Sequence, residues 1–146
     1  MPPKRIARHW LVAVASTATV VLAGYSGSAL CDEVKVVRLS GDQQIPPVAT
    51  SASGVGTFIV GADRSVSGSV IVSGMSVTVA HIHEAPAGKT GPIIILLTRV
   101  SDNVWTVPPG ATLTEAQYES YRAGNLYFNM HSAANKGGEI RAQLTP

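Results

Sequence analysis

The chain has 146 residues, 11 Lys or Arg against 9 Asp or Glu, 45% hydrophobic and 14% charged residues, and one cysteine. That length holds one domain, and a lone cysteine excludes an internal disulfide brace. Lys4, Arg5 and Arg8 all lie near the start, so the chain beyond residue 31 keeps eight basic residues against nine acids, net near −1. The basic balance of the whole sequence therefore gives no reason to infer binding to nucleic acid or to a membrane surface.

Residues 1–31 read as a secretory signal peptide. A basic start is followed by an apolar stretch over residues 11–24, shorter than the roughly 20 apolar residues that span a membrane. The small residues Ser26, Gly27, Ser28 and Ala29 come next. Cleavage after Ala29 or after Cys31 satisfies the small-x-small rule. The expectation is a secreted or periplasmic domain over residues 32–146, with no membrane span once the leader is removed.

Beyond the leader, β-branched runs alternate with Gly, Ser and Pro. The first predicted strand is 34–39. Residues 43–53 hold Pro46 and Pro47, which lack amide donors, and so read as a crossover loop. Strands 56–60 and 66–72 are joined by a turn at Gly61-Ala62-Asp63-Arg64. In the second of these, Ser69 and Ile71 share one face, and Gly68, Val70 and Val72 the other. A strand at 77–84 carries Ala-His-Ile-His. The unbroken apolar run from Ile93 predicts a strand at 93–98 buried on both faces or in mid-sheet. Asp102 marks a turn, and Trp105 reads as an apolar plug. Residues 112–123 break the β rhythm. Thr112-x-x-Glu115 reads as a capping box, Gly124 as the helix stop, and Leu113, Ala116 and Tyr121 as the packed side. Strands at 126–131 and 139–144 complete the chain. The pattern predicts an all-β Greek-key sandwich or barrel of about seven to eight strands, with one short helix near 113–123.

The chemistry concentrates on histidine. Of the four histidines, His9 lies in the leader, and the others are His81, His83 and His131. Residues two apart on a strand share a face, so His81 and His83 project together with Cα atoms roughly 6.5–7 Å apart. Tyr127, Asn129 and His131 share a face of their strand, while Leu126, Phe128 and Met130 take the core side. That places the polar set at a surface or in a cleft. After Gly137-Gly138, Glu139 and Arg141 again share a face and read as an ordinary ion pair. Tyr127, Asn129, His131, Glu139 and Arg141 then form a polar column that could border the His-x-His pair. Glu84 falls on the other face and is expected to be solvated. Neutral imidazole suits zinc, copper, iron and nickel. Two readings stay open: a metal site on His81, His83 and His131, or a hydrogen-bonded structural cluster. With no internal cysteine, no Gly-x-Ser-x-Gly elbow and no phosphate-cradling loop, the balance favours a binding module over an enzyme.

These segments resemble the CHRD domain, named for its occurrence in chordin. The resemblance rests on Leu39-Ser40-Gly41 with Pro46-Pro47, on the Ala80–His83 strand with Gly88 and Gly91-Pro92, and on Ala123-Gly124, Tyr127, Asn129 and His131. Gly137-Gly138-Glu139-Ile140-Arg141 closes it. Ser132 stands where Thr is usual and Lys136 where Pro often stands, and neither is expected to touch a candidate ligand. The resemblance implies an extracytoplasmic β-sandwich, without a settled activity for many stand-alone members. The expected partner is a metal ion, from the three histidines, or an extracellular protein, from the surface loops. The sequence carries no mark of oligomeric state. A looser similarity is to copper/zinc superoxide dismutase, which has a His-x-His strand and a late arginine. It implies a metalloenzyme alternative. Those enzymes bind copper through four histidines, where only three remain here beyond the leader, and their additional zinc ligands have no counterpart.

Overall fold

The computed structural model describes residues 33–146, so the leader, its cleavage site and His9 lie outside the described residues. The strands are β1 (Lys35–Ser40), β2 (Ser53–Val60), β3 (Val66–Ser73), β4 (Val79–Glu84), β5 (Ile93–Leu96), β6 (Thr98–Arg99), β7 (Val104–Thr106), β8 (Leu126–His131) and β9 (Ile140–Leu144). One helix, α1 (Glu115–Arg122), stands between β7 and β8.

All nine strands belong to one antiparallel sheet in the order β5-β4-β8-β9-β1-β2-β3-β7-β6. Only Leu97 separates β5 from β6, yet these strands occupy opposite ends of that order. The sheet must therefore curl until its edges approach, giving a nearly closed barrel. Neighbours distant in sequence, β4 with β8 and β9 with β1, supply the Greek-key character.

Alternation fills the barrel. In β3, Val66, Val70 and Val72 are buried while Ile71 is exposed, as the period-2 pattern requires. Phe58 and Phe128, both fully buried, meet edge to face at 5.7 Å, and Tyr121 of α1 meets Phe58 the same way at 5.6 Å. The helix thus closes the barrel with Tyr121, backed by Leu113 and half-buried Tyr118. Ala116, expected on the packed side, is exposed. Gly124 ends the helix at φ +74°, a conformation open to glycine without a Cβ penalty.

Four other expectations change. The sheet has nine strands, because the short β7 and β6 add to the seven read from sequence. The run from Ile93 forms an edge strand: Ile93 and Leu96 are exposed, Ile95 and Leu97 are buried, and Ile94 is half-buried against the core. The loop at residues 44–52 joins two paired neighbours, β1 and β2, and is a long hairpin loop instead of a crossover. The capping box sits two residues later than expected. The Thr114 hydroxyl accepts from the Gln117 amide at 3.2 Å and the Gln117 side chain from the Thr114 amide at 2.9 Å. Leu113 is buried in the core, and Thr112 bridges to Ser65, which leaves Thr114 to cap. Among the described residues no helix is long and apolar enough to cross a membrane.

Candidate metal centre

Strand pairing assembles the histidines. β4 and β8 run antiparallel with His81 opposite Asn129, His83 opposite Tyr127, and Val79 opposite His131. Diagonal neighbours across such a pair lie about 7–8 Å apart at Cα, within reach of long side chains. His131, diagonal to His81, closes the gap with its ring. Its Nε2 lies 3.1 Å from His81 Nδ1. Ring centroids stand 4.9 Å apart for His81–His131, 5.4 Å for His81–His83 and 6.2 Å for His83–His131. One ring nitrogen from each of the three falls within 4.8 Å of the others.

This polar face of β8 is not an open cleft. Tyr127, Asn129 and His131 are all buried, covered by the loops at residues 41–52, 85–92 and 132–139. Two of those loops orient the imidazoles. His83 Nδ1 lies 2.9 Å from the Gly91 carbonyl, and His131 Nδ1 lies 2.8 Å from the Lys136 carbonyl. A carbonyl only accepts, so each ring carries its proton on Nδ1 and a bare lone pair on Nε2. Gly91 also donates its amide to the Tyr127 hydroxyl at 3.1 Å. A Cβ at Gly91 would stand 1.9 Å from the Glu84 carbonyl, so no larger residue lets the loop approach this closely. The site therefore uses residue 136 after all, through a backbone carbonyl that lysine and proline share.

Burial disfavours the charged forms of His81 and His83. Desolvation, then the proximity of His131 and His83, pushes His81 down to about 4. Desolvation also lowers His83, against the Gly91 hydrogen bond that favours its charged form, with His131 and Arg141 lowering it further.

The supporting residues divide. Asn129 accepts from Gln44 at 2.6 Å and donates to the Gly137 carbonyl at 3.2 Å, which ties two covering loops to β8. Tyr127 stacks on His83 at 4.9 Å and 10°, and the Arg141 guanidinium lies 3.5 Å from the Tyr127 ring centre. The expected Glu139–Arg141 ion pair does not form. Glu139 accepts from the Ser132 and Thr50 hydroxyls instead, and those bonds, Ser132's first, hold its carboxyl below the usual range. Arg141 donates to the Lys89 carbonyl at 2.7 Å and to Gln143 at 2.9 Å. Glu84 stays outside the site as expected, but it accepts from Ser120 of α1 and is not merely solvated. Gln44, Thr50 and Ser132 went unrecognised as supporting residues. Their only signal was a position inside or beside the motif segments.

Three imidazoles on one face, two of them held by backbone carbonyls, lie in the segments from which the sequence resemblance was read. A family model described as CHRD domain matches residues 36–144. The chain belongs to the CHRD domain family. No curated protein and no solved structure matches it. The matched CHRD span runs from β1 to the end of β9, so the histidine cluster lies wholly inside it.

The donor set suits an ion. Two metal–nitrogen bonds of about 2.0–2.1 Å across a tetrahedral angle put the nitrogens about 3.4 Å apart. The His81–His131 contact at 3.1 Å is close to that spacing, and all three ring nitrogens lie within 4.8 Å of one another. Among the described residues two buried side-chain polar atoms lack a hydrogen-bond partner, His83 Nε2 and Trp105 Nε1. The indole nitrogen is a donor set in the apolar core, whereas His83 Nε2 is a lone pair on a ring of the cluster.

Proposed function

We propose that this CHRD domain is an exported binding module that holds a transition metal ion, copper or zinc, on His81, His83 and His131. The leader-like residues 1–31 support export. The observation that carries metal binding is the partnerless Nε2 of buried His83. A buried acceptor without a protein partner costs about 1–3 kcal/mol, and an ion on that lone pair offsets the cost. His83 and His131 would offer Nε2, as their carbonyl bonds dictate. His81 would offer Nδ1, its proton moving to Nε2. The carbonyls of Gly91 and Lys136 act as the outer partners that fix imidazole orientation at metal sites.

Calorimetric titration of the metal-stripped protein with Zn(II) and with Cu(II) tests this. The expected result is one ion per chain with Kd below about 1 μM, weakened at least tenfold in His83→Ala. No binding of either ion would remove the proposal. One contact favours the second reading, a structural cluster: His81 Nδ1–H can donate to His131 Nε2 at 3.1 Å. On that reading His81→Ala lowers stability, and added metal leaves the melting temperature unchanged. Three protein ligands leave a coordination position open, so the dismutase-like alternative is checked in the same copper-loaded preparation. Superoxide turnover no faster than that of free ion counts against it.

A further inference from the structure

Arg141 is 2% exposed, and among the described residues no carboxylate lies within ion-pair distance of it. A buried cation without a counter-charge is costly, and proteins ordinarily pair it. Two of its five N–H groups are engaged, by the Lys89 carbonyl and by Gln143, which leaves three free to donate. Gln143 is itself locked, donating to the Ala85 and Gly124 carbonyls at 2.9 and 2.8 Å, so the guanidinium is held in place. Beside it lies a cavity of about 260 Å³ lined by Arg141, Gln143, Gln44, Asp42, Ala87 and Gly88.

We infer that this cavity binds a small carboxylate, anchored by the Arg141 guanidinium. The planar fork of donors matches two coplanar carboxylate oxygens. Arg141 is the only cation in the lining, and exposed Asp42 stands at the rim. One positive charge with an acid nearby suits a monoanion and disfavours a phosphate dianion. The volume, just below that of drug-sized pockets, admits a carboxylate smaller than a drug molecule. Arg141 makes no hydrogen bond to an imidazole and meets the histidine cluster only through its charge and the shared Tyr127 ring.

The test follows the Arg141 Nε–H resonance by NMR while the protein is titrated with acetate, N-acetylglycine or the neutral N-acetylglycinamide. Both acids should shift the signal saturably, with affinities at least about tenfold above the amide's. Tighter binding of N-acetylglycine than of acetate assigns a peptide C-terminus, and the reverse assigns a free acid. Arg141→Gln, which lacks that resonance and is followed through the backbone amides of Ala87 and Gly88 in the lining, should abolish binding. Should that variant unfold, Ala87→Leu narrows the cavity from its exposed rim and should weaken acetate at least about tenfold. No saturable shift in the wild type, or equal affinity for the amide, would overturn the assignment.

Discussion

Lowering the pH of the metal-free protein measures how strongly the fold resists charging its imidazoles. His81 is pushed from 6.5 down to about 4 in the folded protein, chiefly by desolvation and then by His131 and His83. The unfolded chain therefore takes up this proton first. The stability tied to neutral His81 is fully present above pH 6.5 and is lost as pH falls toward 4, where the folded form charges too. A gap of that size corresponds to about 3 kcal/mol at 1.36 kcal/mol per unit. His83 is lowered as well and adds loss in the same direction. Glu139 acts elsewhere: its carboxyl is held below 4.5, so its contribution fades only as pH falls beneath that value. The comparison variant is His81→Gln, whose amide can donate to His131 and cannot titrate. Urea unfolding with chelator, at several pH values between about 7 and 4, should show wild type losing about 3 kcal/mol more than the variant. Parallel pH profiles for the two proteins would refute the reasoning, because the cluster would then be as easily charged folded as unfolded.

Three further outcomes are expected. Gly91→Ala places a Cβ against the Glu84 carbonyl, so the loop must retreat, at a cost of about 1–3 kcal/mol by denaturation. The same retreat should weaken metal binding roughly tenfold or more by calorimetry. Glu139→Ala leaves the Thr50 and Ser132 hydroxyls without their shared acceptor, and should cost about 2–4 kcal/mol at neutral pH. Thr114→Ala removes the α1 cap and should cost about 1 kcal/mol in urea unfolding, with metal affinity unchanged.

Side-chain alternation made much of the site legible. It put His81 with His83, and Tyr127 with Asn129 and His131, and it placed Phe128 and Met130 in the core, where they are fully buried. Alternation assigns faces but says nothing of what covers them. The polar face of β8 is buried because three loops fold over it, and two of them hold the site through backbone carbonyls at Gly91, Lys89 and Lys136 that leave no residue-type signature. For the same reason Glu139 and Arg141 looked like natural partners. They do share a face, yet Thr50 and Ser132 from the covering loops claim the carboxylate. The apolar run at Ile93 misled because a continuous hydrophobic strand serves a barrel's edge as well as its middle when the opposite edge lies close by. At three residues or fewer, β7 and β6 are too short for any periodicity to show.

The shared ion is tested most directly by X-ray absorption at the metal edge of the zinc-loaded protein. Three imidazole nitrogens at about 2.0–2.1 Å are expected, falling to two in His83→Ala. A first shell with at most one imidazole, or one unchanged by the loss of His83, would contradict the account.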